Sequence, residues 1–575
     1  MNKLLLLPSA RLVPAELRVD FGEIPSGMIP LNSLPALHHI AQPYAAAGYD
    51  VVIAVHERAR AIEEYVARCP GLRARTVDVG ATGLIGETVA TALHRLREMP
   101  AQLVINFADT LLDDLVPAAD AVCFSEVEEL FRWTAFEADE RGVIERVFEK
   151  NQLKPAPAGR VFVGAFGISD PGRFLGILDR CLRRADAPVD PFWRAVVEYH
   201  NTLPPERRLL RQVADWRDFG HLDTYYATQR SFFLNQRYFN SVSVDLGRGV
   251  LRKASAHSEK LAREIEWYLA LPAELQYLGP RVFGYRKDPG ETSAEMEFYG
   301  YPALNDVYLH GAWDPGVWGQ VLGAIGRAID GMRQYKQPAG AKARREALRS
   351  MYQAKTVERL GPILTDRRFR VFTEGTVRIN GRECMGLGRC LAVLPEVMER
   401  SGVSDPPEFT IIHGDLCLSN VLYDRRSGFV RLVDPRGSFG ASGIFGDPRY
   451  DLAKLSHSFH GDYDFYVNGL FGLEVSEDGV ECRPFRSPLH ETVRQMFDHW
   501  LLRRERAHYR AIRLIESLLF LSMAPLHADR PRSQLAFLAR GRELFDRAVR
   551  TAAAPSIEVS SDAGSHDEHY YYDGR

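Results

Sequence analysis

The sequence predicts a mixed α/β protein in more than one unit. It has a doubly wound α/β layer over about residues 1–230, a second unit with a β-rich start and a mostly helical remainder over 231–552, and a disordered tail over 553–575. Three observations lead there. At 575 residues the chain is too long for one hydrophobic core. Short apolar runs alternate with amphipathic stretches as far as Leu178, and from Tyr238 the pattern changes to paired strands followed by helices.

Taken in order, Leu4–Leu7, Val51–Val55, Leu103–Phe107 and Val161–Val163 read as buried strands. Glu57–Ala67 and Glu87–Leu96 carry helical spacing between them, and this alternation is what a doubly wound layer requires. Ala185–Arg211 is Pro- and Arg-containing, with helical content around Trp193–His200. Ser241–Asp245 and Gly249–Lys253 then form a hairpin across Leu246-Gly247-Arg248-Gly249, and a helix runs from His257 to Leu271. The remainder is helical apart from a β segment at Phe409–Val433. Past Ala553 no apolar period survives, and Ser, Asp, Gly and His dominate.

Composition narrows the functional classes. Hydrophobic residues make up 46% and charged residues 26%, as in ordinary globular proteins. A net charge of −3 gives no basic excess for a nucleic-acid partner. The seven cysteines are scattered without a CxxC pair, which reads as reduced, buried thiols. The apolar run at the N-terminus stops at Pro8, too short for a signal peptide, and no window reaches the length of a membrane span. A cytoplasmic protein acting on small molecules is expected, and the oligomeric state is left open.

The strongest chemical signal is Ile411-Ile412-His413-Gly414-Asp415-Leu416-Cys417-Leu418-Ser419-Asn420, followed by Val430-Arg431-Leu432-Val433-Asp434. Phosphoryl transfer needs a carboxylate to orient and deprotonate a hydroxyl, and oxygen ligands for the Mg²⁺ that accompanies a nucleotide. A strand delivers Asp415 into a loop, Asn420 follows five residues later, and a hairpin returns Asp434. Upstream, Val250-Leu251-Arg252-Lys253 supplies a strand lysine, and the next helix offers Glu264, preferred here over Glu266, to hold it against phosphates.

His413–Asn420, Asp434 and Gly446-Asp447-Pro448-Arg449-Tyr450-Asp451-Leu452-Ala453-Lys454 resemble the aminoglycoside phosphotransferase and choline kinase family. The resemblance covers roughly 231–552 and implies a bilobal protein-kinase-like fold. It also implies Asp415 as catalytic base, Asn420 and Asp434 as Mg²⁺ ligands, Lys253 and Glu264 at the ATP phosphates, and Asp451 as a buttress of the catalytic loop. It departs at the phosphate loop, where Arg237-Tyr238-Phe239-Asn240-Ser241 is not glycine-rich and backbone amides near Asn240 and Ser241 would do the work. Glu295–Phe298 is the candidate adenine hinge.

In the first unit, Asn106-Phe107-Ala108-Asp109-Thr110 places a carboxylate at the carboxyl end of a central strand, where α/β sheets bind ligands; Asp109 is either a metal ligand for a nucleotide or a turn cap. Its order of elements resembles the sugar-phosphate nucleotidyltransferases: a first-strand loop Pro8-Ser9-Ala10-Arg11, then Pro25-Ser26-Gly27-Met28-Ile29-Pro30-Leu31, then Ala108-Asp109, then Trp216-Arg217-Asp218-Phe219-Gly220. That resemblance implies that Asp109 and Asp218 share the Mg²⁺ of an NTP. It also puts Ser9, Ala10 and Arg11 at the triphosphate and Lys150 at the sugar phosphate or simply at the surface. The usual glycine-rich loop and the lysine after Pro25 are absent, so the unit is either divergent or inactive.

Together the two resemblances imply a bifunctional kinase and nucleotidyltransferase. It would take ATP and a second NTP (CTP, UTP or GTP) to turn a sugar, polyol or amino alcohol into an activated donor for capsule or other surface polysaccharide. The alternatives are a kinase with a nucleotide-sugar-sensing N-terminal domain and, more remotely, an antibiotic-resistance kinase.

Overall fold

The computed structural model describes residues 2–112, 116–128, 130–150, 158–184, 189–234, 240–245, 247–256, 258–288, 290–373, 375–476 and 479–553. Among them the N-terminal region builds a nine-stranded sheet. Its centre runs Ala74–Asp78, Asp50–Val55, Lys3–Ser9 and Gln102–Asn106, all parallel, followed by the antiparallel Gly159–Ile168.

Side-chain alternation along these strands explains the layering. Leu5, Leu7, Val51 and Ile53 enter one core with Leu37, Ile40 and Tyr44 of the helix Ala36–Ala46 and with Ile62 of Ala59–Arg68. Leu4, Leu6, Val52 and Ala54 enter another core with Val89 and Leu93 of Ile85–His94, and with Phe174 and Val196 of the later helices Pro171–Leu182 and Pro191–Asn201. A strand buried on both faces reads as a continuous apolar run, which is why Leu4–Leu7 and Val51–Val55 stand out in the sequence.

The sheet is less uniformly parallel than expected. Gly159–Ile168 is ten residues long; along one side it pairs antiparallel first with Ala135–Ala138 and then with Gln102–Asn106, and along the other with Ala121–Val127. Leu209–Gln212, at the end of the Pro- and Arg-containing segment for which no strand was expected, adds a strand parallel to Ala121–Val127. Its own pattern is mostly exposed at an edge, so it lacks the apolar signature of a strand.

The second region opens with a four-stranded antiparallel sheet in the order Asn240–Asp245, Val250–Ser255, Glu291–Glu297, Val282–Asp288, with the helix Ser258–Ala270 packed against it. Helices follow, among them Pro315–Arg333, Pro448–Phe459, Tyr509–Met523 and Pro531–Ala553, the last ending on the first residue assigned to the tail. Two short pairings hold the loops between them: Thr410–Ile411 with Phe445–Gly446, and Val421–Asp424 with Phe429–Leu432. A further small sheet joins Thr376–Ile379 and Arg382–Met385 to Phe471–Ser476 and Gly479–Pro484, in a stretch expected to be helical.

The two regions share one apolar core: Leu37 and Tyr65 belong to the same buried cluster as Leu304, Val307 and Tyr308. Polar contacts reinforce it. Asp306 accepts from Ser33 Oγ at 3.0 Å and from Gln229 Nε2 at 3.1 Å, and Asn32 N donates to Gln229 Oε1 at 3.1 Å.

Candidate functional sites

In the second region the loop His413–Asn420 is built around a buried histidine. His413 is fully buried, its Nε2 lies 3.0 Å from the carbonyl of Val433, and the backbone N–H of Asp415 donates to its Nδ1 at 3.3 Å. Only the neutral tautomer protonated at Nε2 satisfies both contacts, and burial, which pushes its pKa down to about 4, keeps it in that form. Trp267 packs edge-on against the ring and donates from Nε1 to the carbonyl of Ile412 at 2.8 Å. From the helix Pro448–Phe459, the buried Asp451 accepts from the backbone N–H groups of His413 and Gly414 at 2.7 and 2.8 Å. The side-chain amide of Asn420 donates to the carbonyl of Asp415 at 2.8 Å, closing the loop from its other end.

This frame brings the predicted residues together. Lys253 Nζ lies 2.8 Å from Glu264 Oε1 and also contacts Asp434. Burial disfavours the charge on Lys253, yet the two carboxylates outweigh it and raise its pKa. Asp434 is held down at about 2, chiefly by that lysine, while burial pushes Glu264 up to about 7 against the pull of Lys253. Glu264, and not Glu266, is therefore the partner; Glu266 instead meets Lys287 at 3.5 Å on the surface. Asp434 sits at φ 53°, in the left-handed region that a non-glycine residue occupies at a cost of order 1–3 kcal/mol, and such strain gathers at functional sites. Gly437, at φ 68°, lets the backbone pass the carbonyl of Arg263, which a Cβ there would meet at 2.1 Å.

Sequence reasoning missed Lys454. Its Nζ lies 2.8 Å from Asp415 Oδ1. Burial alone would raise the Asp415 pKa, but Lys454 more than offsets it, so the carboxylate stays ionised. The signal was available, since Lys454 follows Asp451 by three residues on one helix and so shares its face.

Of the expected phosphate loop, Arg237, Tyr238 and Phe239 lie outside the described residues, and Asn240 and Ser241 open the first strand of the small sheet. Glu295–Glu297 end the strand Glu291–Glu297, with Arg252 donating from Nε to Glu295 at 2.8 Å.

In the first region the strand order reverses between Lys3–Ser9 and Gln102–Asn106, the switch point at which open α/β sheets bind ligands. A cleft of about 180 Å³ lies there, lined by Ser9, Ala10, Arg11, Ser26, Thr88 and Asp109 among others. Trp216–Asp218 pairs antiparallel with Thr110–Leu112 in a register that sets Asp218 opposite Thr110, beside Asp109. Both carboxylates close on Gly220, where a Cβ would meet Asp109 Oδ2 at 2.8 Å and Asp218 Oδ1 at 3.3 Å. Gly220 N donates to Asp218 Oδ1 at 2.9 Å, and Trp133 Nε1 donates to Oδ2 at 3.2 Å. Burial, then the charge of Asp218, pushes Asp109 up to about 6, with Lys150 acting in the opposite sense.

The other predicted residues fall around the cleft. Ser9 is buried, and its hydroxyl accepts from Gly27 N at 2.9 Å. Ala10 is buried, and the Arg11 guanidinium donates to the carbonyls of Thr82, at 2.7 Å from Nη2, and Gly83. Lys150 is exposed.

Both sites offer hard oxygen donors of the kind Mg²⁺ takes, since it is commonly held by one or two carboxylates with water and substrate phosphates completing its shell. Burial first, and then the neighbouring charge of Asp218, raise the pKa of Asp109, and a divalent ion held by the two carboxylates would favour their ionised forms. Among the described residues there is no group of three or more His, Cys, Asp or Glu able to hold a metal by protein ligands alone.

Residues 230–485 match the model of the phosphotransferase enzyme family, APH. That stretch is a phosphotransferase domain, and the chain is an enzyme of the transferase class. No curated protein matches the chain. Among solved structures, HddC from Yersinia pseudotuberculosis is 15% identical over 40% of this chain and 100% of its own, with a TM-score of 0.29. The CTP:phosphocholine cytidylyltransferase LicC from Streptococcus pneumoniae is 13% identical over 40% and 100%, with a TM-score of 0.32. A thermostable mutant of the aminoglycoside phosphotransferase APH(4)-Ia, in a ternary complex with ADP and hygromycin B, is 13% identical over 56% and 94%, with a TM-score of 0.36. No helix among the described residues is long and apolar enough to cross a membrane.

Proposed function

We propose that the chain is a bifunctional enzyme. Residues 231–552 phosphorylate a small hydroxylated molecule with ATP, and residues 1–230 join the resulting phosphate to an NMP unit from a second NTP, releasing pyrophosphate. The observation that carries the reading is the pairing of Asp109 with Asp218 at the sheet's switch point, on a chain whose other half assembles Lys253, Glu264, Asp415, Asn420 and Asp434 around one loop.

In the kinase half, Asp415 accepts the proton of the attacking hydroxyl; Lys454 keeps it ionised, and Asp451 and Asn420 fix its backbone. Lys253, braced by Glu264, meets the nucleotide phosphates, and Asn420 and Asp434 would hold Mg²⁺, which when bound would supply charge neutralisation. In the nucleotidyltransferase half, Asp109 and Asp218 would hold the metal of the NTP, with Arg11 and Lys150 at the anionic substrates. The product is an NDP-linked donor, and a cytoplasmic role in surface-polysaccharide synthesis fits it.

One set of observations favours a second reading, in which the first half senses a nucleotide sugar and only the kinase turns over. The Ser9 hydroxyl is engaged by Gly27, Ala10 has no polar side chain, and Arg11 is turned to Thr82 and Gly83. Mg²⁺-dependent binding of CTP, UTP or GTP to the full chain, compared with Asp109→Ala, separates a metal-bearing site from an inert one. Pyrophosphate release then separates catalysis from sensing.

A further inference from the structure

The walls around Asp415 carry more positive charge than one carboxylate needs. Lys454 pairs with Asp415 at 2.8 Å. Arg436 lies across the catalytic loop, close enough that a Cβ on Gly414 would meet its own Cβ at 2.9 Å, and its Nη1 donates to the hydroxyl of Tyr450 at 3.1 Å. Tyr450 stacks on Tyr352, one turn before Lys355. Lys355 and Arg359 follow on the helix Lys355–Thr365, with Arg359 Nη1 donating to the carbonyl of Ser522 at 3.1 Å.

These groups feel one another. Burial, then the charges of Arg436, Arg359 and Lys454, pushes Lys355 down to about 7, and Asp415 is the only carboxylate among its main influences. Arg359 is likewise depressed by burial and by Arg436, opposed by Tyr450 and then by the exposed Glu358. The buried Asp447 is already spent on Arg449, with which it shares contacts of 2.9 and 3.1 Å. Lys454 and Arg436 therefore flank the one reactive carboxylate, which Lys454 already neutralises, and Lys355 and Arg359 add their charges around Arg436. A half-buried cluster of like charges is costly to assemble unless a ligand anion completes it.

We propose that the molecule phosphorylated at Asp415 is itself an anion, a hydroxylated compound bearing a carboxylate or a phosphate, and that Lys355, Arg359 and Arg436 hold that anionic group while Asp415 addresses the hydroxyl. The proposal rests on the kinase reading and narrows it. A neutral hexose leaves the cluster uncompensated, and an amino alcohol or other cationic acceptor is repelled. The same hydroxyl attacks the γ-phosphorus of ATP, its proton passes to Asp415, and ADP leaves. The phosphate ester then carries two anionic groups, one of which is the phosphate that the first half would join to an NMP.

The test uses the full chain with Mg²⁺ and ATP and acceptors in matched sets: a sugar or polyol, its carboxylate, its monophosphate and its amine. ADP formation in wild type against Asp415→Ala reports on the kinase reading by itself. Affinity of each acceptor for the ADP-loaded chain, measured by calorimetry, reports on the anion whether or not that acceptor turns over. The expected result is at least tenfold tighter binding of the carboxylate or the monophosphate than of the neutral twin, with the amine weakest; the better of the two identifies the anion. Lys355→Met should raise the KM for that acceptor about tenfold or more with the KM for ATP unchanged, and Lys355→Arg should restore most of it. Equal or tighter binding of the neutral or amine twin, or a Lys355→Met effect confined to the KM for ATP, overturns the proposal.

Discussion

The two candidate sites handle negative charge in opposite ways. In the kinase half each working carboxylate is paired with a protein cation: Lys253 holds Asp434 down at about 2, and Lys454 outweighs the burial of Asp415. In the first half Asp109 is pushed up to about 6, first by burial and then by the facing carboxylate of Asp218. A site that carries its own counter-charge keeps its acids ionised and positioned before substrate arrives. A site built from two acids is incomplete until a cation comes with the nucleotide. Substitutions at either site separate these two arrangements.

The largest effect is expected at the base. Asp415→Ala should lower acceptor-dependent ADP formation by on the order of 10³-fold, because a positioned proton acceptor contributes roughly 10²–10⁴-fold, while Mg²⁺-dependent NTP binding to the first half stays intact. Lys253→Met should cost roughly 10²-fold in ADP formation and, by leaving the buried Glu264 unpaired, about 3–5 kcal/mol of stability, measured by urea denaturation. Loss of activity without loss of stability would mean that Glu264 finds other compensation.

Gly220→Ala should act only on the first site. Its Cβ would lie 2.8 Å from Asp109 Oδ2 and force the carboxylates apart. Weakening of Mg²⁺-dependent NTP binding by roughly tenfold is expected, with kinase turnover unchanged.

The smallest effect concerns stability against pH. Asp109 has a folded pKa near 6, above the usual carboxylate range, so the native metal-free chain holds a proton that the unfolded chain has lost. Its contribution is therefore most favourable below about pH 4 and is lost as the pH rises through 6. Asp109→Asn should flatten that slope and raise the melting temperature at pH 7 by about 2–4 °C. Asp434, held near 2, has the reverse sign: its contribution is present above about pH 4 and disappears as the pH falls through 2.

Much of this was legible before any coordinates. Leu4–Leu7 and Val51–Val55 announce themselves because a strand covered on both faces must be apolar at every position. Lys253, Glu264, Asp415, Asn420 and Asp434 were legible because loop chemistry fixes their order along the chain. The sheet around Thr376–Ile379 was not: these residues pair locally with Arg382–Met385 across Asn380-Gly381, a hairpin signal the sequence does carry, but the pairing with Gly479–Pro484, about one hundred residues further on, is encoded by no local pattern. Arg436 and Lys355 were invisible for the same reason: their proximity depends on how two distant segments pack beside Asp415. Asp218 was legible, but the engagement of the Ser9 hydroxyl by Gly27 was not, because it depends on the path of the loop around Ser26.

Pyrophosphate release by the intact chain decides whether one chain both phosphorylates its acceptor and activates the product. The intact chain is supplied with Mg²⁺, ATP, each of CTP, UTP and GTP in turn, and the acceptor sets. The account predicts pyrophosphate with at least one NTP, and its loss in both Asp415→Ala and Asp109→Ala. ADP formation from an acceptor with no pyrophosphate from any NTP would contradict it and leave the first half a sensor.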